Sequence, residues 1–230
     1  MMQWLEPLVN VFYPRTCWAC SRPLLGSEEH LCIDCLLELP KTNFHLQAEN
    51  PLLKVFMGRC NFKAATAYFY FQKGGRVQRL LHQLKYQNMP EIGVLLGQMI
   101  GEELGSHPFL QNVDVALPVP LHPQKQLLRG YNQSAQIAEG LLEATPLVLS
   151  KGNLVRKSQS ETQTRKGRFD RWRNVEQIFA VERPQEFRFR HVLLIDDVVT
   201  TGATIEACYQ QLQKIEGIEI SLLAVAMATN

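Results

Sequence analysis

Apolar positions recur along the chain with two different periods, and the switches between them lay out an α/β protein. Val192 to Ile195 is an unbroken apolar run, the pattern of a strand buried on both faces in a parallel sheet. After a turn of small residues, Ile205, Cys208, Tyr209, Leu212 and Ile215 return at helical spacing. Upstream, residues 62–71 alternate and are rich in aromatic side chains, which predicts a half-buried strand. Gly74-Gly75 turns the chain. Val77, Leu80, Leu81 and Leu84 then form the stripe of a helix whose other face carries Arg76, Arg79, His82 and Lys85. Pro90 opens a second helix through Leu104, a Pro-Glu start suited to a first turn.

Val113 to Leu117 predicts a strand that runs into a proline-studded loop ending at Pro123. Asn132 caps the next helix, with Ile137, Ala138, Leu141 and Leu142 inward. Short strands are expected over 145–149 and 177–181, and an apolar run over 218–227 closes the sheet. Two stretches at the amino end are different. Leu5, Leu8, Val9 and Phe12 mark a short amphipathic helix ended by Pro14, and residues 36–58, with Pro40 and Pro51, show no sustained period and read as a connection.

Composition adds limits. A chain of 230 residues, 46% hydrophobic and 20% charged, suits one large domain, or one with a small appendage. Its start lacks the basic residues and unbroken apolar core of a signal peptide, and no apolar run reaches membrane-spanning length. A cytoplasmic location without membrane insertion is therefore expected. The net charge of +2 hides an asymmetry: residues 151–190 hold eleven Lys/Arg against five Asp/Glu. Phe169 and Trp172 lie among those arginines. Cations that track a backbone and rings that stack on bases suit single-stranded nucleic acid, and the same segment read alone is a solvated face or loop.

Two C-x₂-C pairs, Cys17/Cys20 and Cys32/Cys35, are separated by eleven residues. Two such knuckles supply the four thiolates that a tetrahedral Zn²⁺ takes, and a site with four cysteines keeps no open position for catalysis. A single C-x-x-C can instead be a redox pair. The doubled motif, the expected reducing surroundings and a segment too short to build a core favour structural zinc.

At the carboxyl end of the 192–195 run stand Asp196 and Asp197, followed by Val198-Val199-Thr200-Thr201-Gly202-Ala203-Thr204. Amides and hydroxyls of Thr200, Thr201, Gly202 and Thr204 can receive an anion at the positive end of the following helix. Two carboxylates are wrong for a phosphate, so they must face sugar hydroxyls, a cation, or both. This strand–turn–helix resembles the fingerprint of the type I phosphoribosyltransferases. The resemblance implies that Asp196 and Asp197 hold the ribose hydroxyls of phosphoribosyl pyrophosphate (PRPP) and that Thr200, Thr201, Gly202, Ala203 and Thr204 cradle its 5′-phosphate, with Mg²⁺ bridging ribose and pyrophosphate.

Three further stretches resemble the ComF family of competence-associated proteins. They are the paired C-x₂-C units, Arg129-Gly130-Tyr131-Asn132-Gln133-Ser134, and the run Arg156…Ser160-Glu161-Thr162-Gln163…Arg171-Trp172-Arg173-Asn174…Phe179. Ser160 and Lys166 depart from the family's usual Thr and apolar residue. The implied architecture is a type I phosphoribosyltransferase fold, a mostly parallel sheet with flanking helices (59–230), behind a small zinc-ribbon-like four-cysteine domain (1–58). Pyrophosphate falls to the 118–123 loop and Arg129, for which a plain surface role stays open. Arg156, Lys157, Arg168 and Arg171 fall in the position of a mobile catalytic loop. Purine-salvage relatives usually carry Asp where Thr200 stands, which argues against a purine acceptor. Two functional classes follow: a transferase of unknown acceptor, or a non-catalytic PRPP-sensing module that binds partners. Single-stranded DNA and a competence helicase are the candidate partners.

Overall fold

The computed structural model describes residues 14–157 and 178–228; the expected helix over residues 4–13 lies outside them. In chain order the elements are α1 (Ile33–Glu38), α2 (Pro51–Val55), β1 (Ala65–Phe71), α3 (Arg76–Tyr86) and α4 (Glu91–Leu104). Then come β2 (Val115–Pro118), α5 (Pro123–Arg129), α6 (Gln133–Leu142), β3 (Val148–Leu149) and β4 (Leu154–Arg156). The chain finishes with β5 (Phe179–Val181), β6 (His191–Val199), α7 (Ala203–Leu212) and β7 (Glu219–Ala228). Five strands form one sheet in the order β1-β7-β6-β2-β3, and every neighbouring pair is parallel. β4 and β5 make a separate antiparallel pair.

Parallel strands need crossovers, and the crossovers cover both faces. The pleat sends Leu193 and Ile195 into a core shared with α3, α4 and α6. It sends Val192 and Leu194 into a second core shared with α7, Phe44, Leu52 and Phe56. All four of those β6 side chains are fully buried, so the apolar run is explained by a helix layer on each side. β7 is not the closing edge that its position in the chain suggests. It lies between β1 and β6, which is why seven of its ten residues in a row are buried.

The expected strand over 62–71 begins later, at Ala65, and is buried rather than half-exposed. Its free edge is covered by the segment read as a bare connection. Thr42 N–H donates to Tyr68 O (3.0 Å), and Tyr70 N–H to Pro40 O (2.8 Å). This capping hides the edge from other chains. Asn50 caps α2 by accepting from Leu53 N–H at 3.1 Å, and its amide donates to Ala65 O at 2.9 Å. Short helices of this kind leave no sustained period to read.

α4 and α6 lie backbone to backbone. A Cβ on Gly97 would stand 2.1 Å from Ile137 O, and one on Gly140 2.0 Å from Val94 O. Both contacts are with main chain, which cannot yield as a side chain does. Gly97→Ala is therefore expected to lower the melting temperature by about 5–10 °C, corresponding to an overpacking cost of roughly 1–3 kcal/mol. Thermal unfolding followed by circular dichroism checks this. A melting point unchanged or raised by the better helix former would contradict it.

Candidate functional site

β6 extends past the apolar run through Asp196 and Asp197 to Val199, which places both carboxylates at the carboxyl edge of the sheet. Ligands of open α/β sheets bind in that region. The pleat turns Asp197 to the face covered by α3, where its Oδ1 accepts from Lys85 Nζ at 2.7 Å. Asp196 Oδ1 accepts from Ser134 Oγ–H of α6 (3.1 Å) and from Asp197 N–H (2.8 Å). The expected pyrophosphate loop runs alongside: Val119 N–H donates to Ile195 O at 2.9 Å, and Val119 O accepts from Asn132 Nδ2 at 2.9 Å.

The turn after β6 leads into α7 through Gly202, whose φ of 77° lies in the left-handed region. Gly202 supplies no capping side chain; Ala203 N–H makes a long bond to Thr201 Oγ1 at 3.5 Å, and the amides that follow in the first turn of α7 are left to solvent or to an anion. Thr200, Thr201, Ala203 and Thr204 are exposed around it. Behind the turn stands Phe56: a Cβ on Gly202 would meet its ring at 2.6 Å. Arg59 adds a clamp, bonding Glu206 Oε2 at 2.7 Å and reaching Thr201 O at 3.4 Å. That cation offsets an acidic residue that would otherwise repel an anion at this helix end.

Burial, and then the charge of Asp197, push the Asp196 carboxyl up to about 7. An unfolded carboxyl titrates near 4, so between roughly pH 4 and 7 the folded state keeps a proton that the unfolded state has released. Stability from this group is thus full below about pH 4 and is lost as pH rises through 7. Buried His191 acts oppositely: burial, then Lys63, lowers its titration, so its contribution is lost as pH falls. Comparing wild type with Asp196→Asn separates the two. The variant should gain in melting temperature relative to wild type between pH 5 and pH 8. A constant difference would show that Asp196 is not the strained carboxyl.

Arg129 is not on the acidic pair. It bonds Gln133 Oε1 at 2.8 Å and lies over the Tyr86 ring at 5.2 Å. Gln133 is 1% exposed and its Nε2 has no partner within the described residues. Arg156 lies on β4 over the Phe179 ring at 5.4 Å. It lines a cleft of about 720 Å³ shared with Pro118, Tyr131 and Lys151. Lys157 follows, tied by its N–H to Ile178 O at 2.8 Å. Arg168, Arg171, Phe169 and Trp172 lie outside the described residues. Lys85, Ser134, Phe56 and Arg59 were not anticipated. Lys85 belongs to the polar face of its helix, Phe56 to the 36–58 stretch that has no sustained period, and Arg59 follows that stretch.

Toward the amino end of the chain, the Sγ atoms of Cys17, Cys20, Cys32 and Cys35 all lie within 4.8 Å of one another. Cys20 and Cys32 are 3.7 Å apart, near the roughly 3.8 Å edge of a tetrahedron with metal–sulfur bonds of about 2.3 Å and far from a disulfide length. Ser21 takes a left-handed turn (φ 64°) after the first pair, and Cys32 N–H donates to Cys17 Sγ at 3.4 Å. Burial pushes the Cys17 thiol up, but amide donors from Cys32, Cys20 and Ala19 outweigh it and bring it down to about 7. The donor set and spacing fit a four-coordinate metal ion. Cys60 stands apart as a half-buried free thiol, pushed up to about 11 by burial and then Glu206.

A parallel sheet with an acidic pair and a glycine turn at its carboxyl edge, joined to a four-cysteine cluster, defines a phosphoribosyltransferase-like α/β protein. No family model matches the chain. It is 30% identical over 156 residues to competence protein F of Haemophilus influenzae, covering 65% of this chain and 67% of that protein. It is 29% identical over 222 residues to the DNA utilization protein YhgH of Escherichia coli (strain K12), covering 86% and 91%. The chain belongs to the ComF family of these proteins. Among solved structures, a hypoxanthine phosphoribosyltransferase from Staphylococcus aureus overlays 58% of this chain and 62% of its own, at 17% identity and a TM-score of 0.32. The fold assignment rests on strand order and the strand–turn–helix unit, not on that overlay. Among the described residues no helix is long and apolar enough to cross a membrane.

Proposed function

We propose that the protein binds PRPP with Mg²⁺ at the carboxyl edge of β6 and acts as a phosphoribosyltransferase in the service of natural competence and DNA use. The observation that carries this reading is the juxtaposition of two carboxylates with an uncapped helix start only a few residues further along the chain. Asp196 and Asp197 accept hydroxyls of the ribose. The amides and hydroxyls of Thr200, Thr201, Gly202, Ala203 and Thr204 take the 5′-phosphate. The 118–123 loop and Arg129 face the pyrophosphate end, and Gln133 brings an unpaired amide to the same corner. Bound Mg²⁺ supplies charge neutralisation for the departing pyrophosphate. Arg156 and Lys157, at the root of the basic segment that also holds Arg168 and Arg171, add preorganised positive charge there.

The names of the relatives, a DNA utilization protein and a competence protein, favour a cellular role near DNA, in the cytoplasm. They also sustain a second reading, a PRPP-sensing module that binds single-stranded DNA or a helicase through the basic segment. In both readings residues 1–58 serve as a zinc-stapled module, with Zn²⁺ on Cys17, Cys20, Cys32 and Cys35, and residues 59–230 as the ligand-binding body. The deciding experiment is Mg²⁺-dependent release of pyrophosphate from PRPP across a panel of nitrogen acceptors. Turnover with one acceptor establishes the transferase. PRPP binding without turnover for any acceptor favours the sensor.

A further inference from the structure

α3 touches both the cysteine module and the acidic pair. Its buried stripe, Val77, Leu80, Leu81 and Leu84, is at most 2% exposed. On the side of the cysteine module Arg76 pairs with Glu38 at 2.6 Å, Arg79 Nη1 donates to Ala19 O at 2.8 Å, and Gln83 Nε2, nearer the carboxyl end, donates to Trp18 O at 2.6 Å. At its carboxyl end Leu84 O accepts from the Tyr131 hydroxyl. The helix is therefore held in rotation and register from both sides, and that register decides where Lys85 points.

A lysine in the last turn of a helix is already well placed for the helix dipole and needs no further partner. Lys85 nonetheless spans to Asp197, 112 residues away in sequence. Its side chain is 23% exposed and that of Asp197 14%, so the pair is much drier than the ion pairs of the surrounding surface. Two carboxylates on successive residues repel. Asp196 is stabilised by neutral donors, Ser134 Oγ–H and an amide. Lys85 is the cation that contacts the pair within the described residues.

We propose that Lys85 is the resident counter-cation of the Asp196–Asp197 pair. It is a positioning residue that holds the Asp197 carboxylate toward the ligand's hydroxyl groups and keeps a free divalent cation off the pair until an anionic ligand brings one. The proposal rests on the reading of this edge as the ribose site and adds a control element to it. One consequence does not involve PRPP at all. With the ammonium removed, two adjacent carboxylates become a better site for a hard divalent cation, which prefers oxygen donors.

The test therefore has two arms, each on the full chain with folding checked by circular dichroism. In the first, Mn²⁺ alone is titrated calorimetrically into ligand-free protein. Lys85→Met should bind Mn²⁺ at least tenfold more tightly than wild type. Lys85→Arg should behave as wild type, and Lys85→Met with Asp197→Asn should lose the gain. Lys85→Gln carries the same expectation as Lys85→Met if the latter does not fold. In the second arm PRPP with Mg²⁺ is titrated: Lys85→Met should bind at least tenfold more weakly, and Lys85→Arg should recover most of the loss. Equal Mn²⁺ affinity in wild type and Lys85→Met overturns the counter-cation role, whatever PRPP does. A gain in Mn²⁺ affinity, in a protein that does not bind PRPP, upholds Lys85 and removes the ribose reading instead.

Discussion

Replacing Asp196 and Asp197 together by asparagine is expected to abolish measurable PRPP affinity at micromolar protein while leaving the fold intact. Each carboxylate that accepts a ligand hydroxyl contributes roughly 1.5–3 kcal/mol as a charge-assisted bond, so losing both corresponds to about two to four orders of magnitude in affinity. The structure separates this loss from unfolding. Near pH 8 Asp196 carries its charge against both burial and the neighbouring carboxylate, and asparagine removes both penalties. The double variant should therefore melt at or above wild type near pH 8 even as it loses the ligand. Titration calorimetry with parallel melting curves measures both quantities. Equal PRPP affinity in variant and wild type would move the sugar site off this strand.

The second large effect concerns the cysteine cluster. Protein purified without chelators should carry one Zn²⁺ per chain, and Cys32→Ser should carry less than a tenth of that. Cys32 is fully buried, and a small metal module draws most of its folding free energy from the ion. A loss of several kcal/mol translates into a fall of about 10 °C or more in melting temperature for a chain of this size. The effect should not stop at the module. Ala19 and Trp18 are the docking points of Arg79 and Gln83, so faster hydrogen exchange is expected in residues 76–86 as well as 15–38. Elemental analysis and exchange mass spectrometry provide the readouts. Metal-free wild-type protein with unchanged stability would refute the assignment.

Much of this architecture was legible because the local pattern and the tertiary role coincide. The β6 run is apolar because both of its faces are covered, and the acidic pair interrupts it where cover ends. The two C-x₂-C pairs stand out because no ordinary packing demand places cysteines at that spacing. α3 and α4 announced themselves through stripes that the core uses. What stayed illegible depends on long-range placement. Phe56 buttresses Gly202 from a five-residue helix and its flank, too short to carry a period. Lys85 looked like any cation on a solvated face, since nothing local distinguishes a lysine in water from one aimed at a carboxylate 112 residues away. The glycines at 97 and 140 permit a contact between α4 and α6 that only the pairing of the two helices reveals. The interior position of β7 follows from strand order, which the hydrophobicity of a single strand does not encode.

The central claim is that the strand-end carboxylates and the glycine turn form one PRPP site that works with Mg²⁺. It is tested most directly by titrating PRPP into the wild-type protein in buffer with excess Mg²⁺ and again in buffer from which the metal has been removed by a chelator. The expected result is a single site per chain with Mg²⁺ present and affinity at least tenfold weaker without it. Ribose 5-phosphate should compete, because it retains the groups that Asp196, Asp197 and the 200–204 turn address. Absence of binding in both buffers, or binding that ribose 5-phosphate does not displace, would contradict the account.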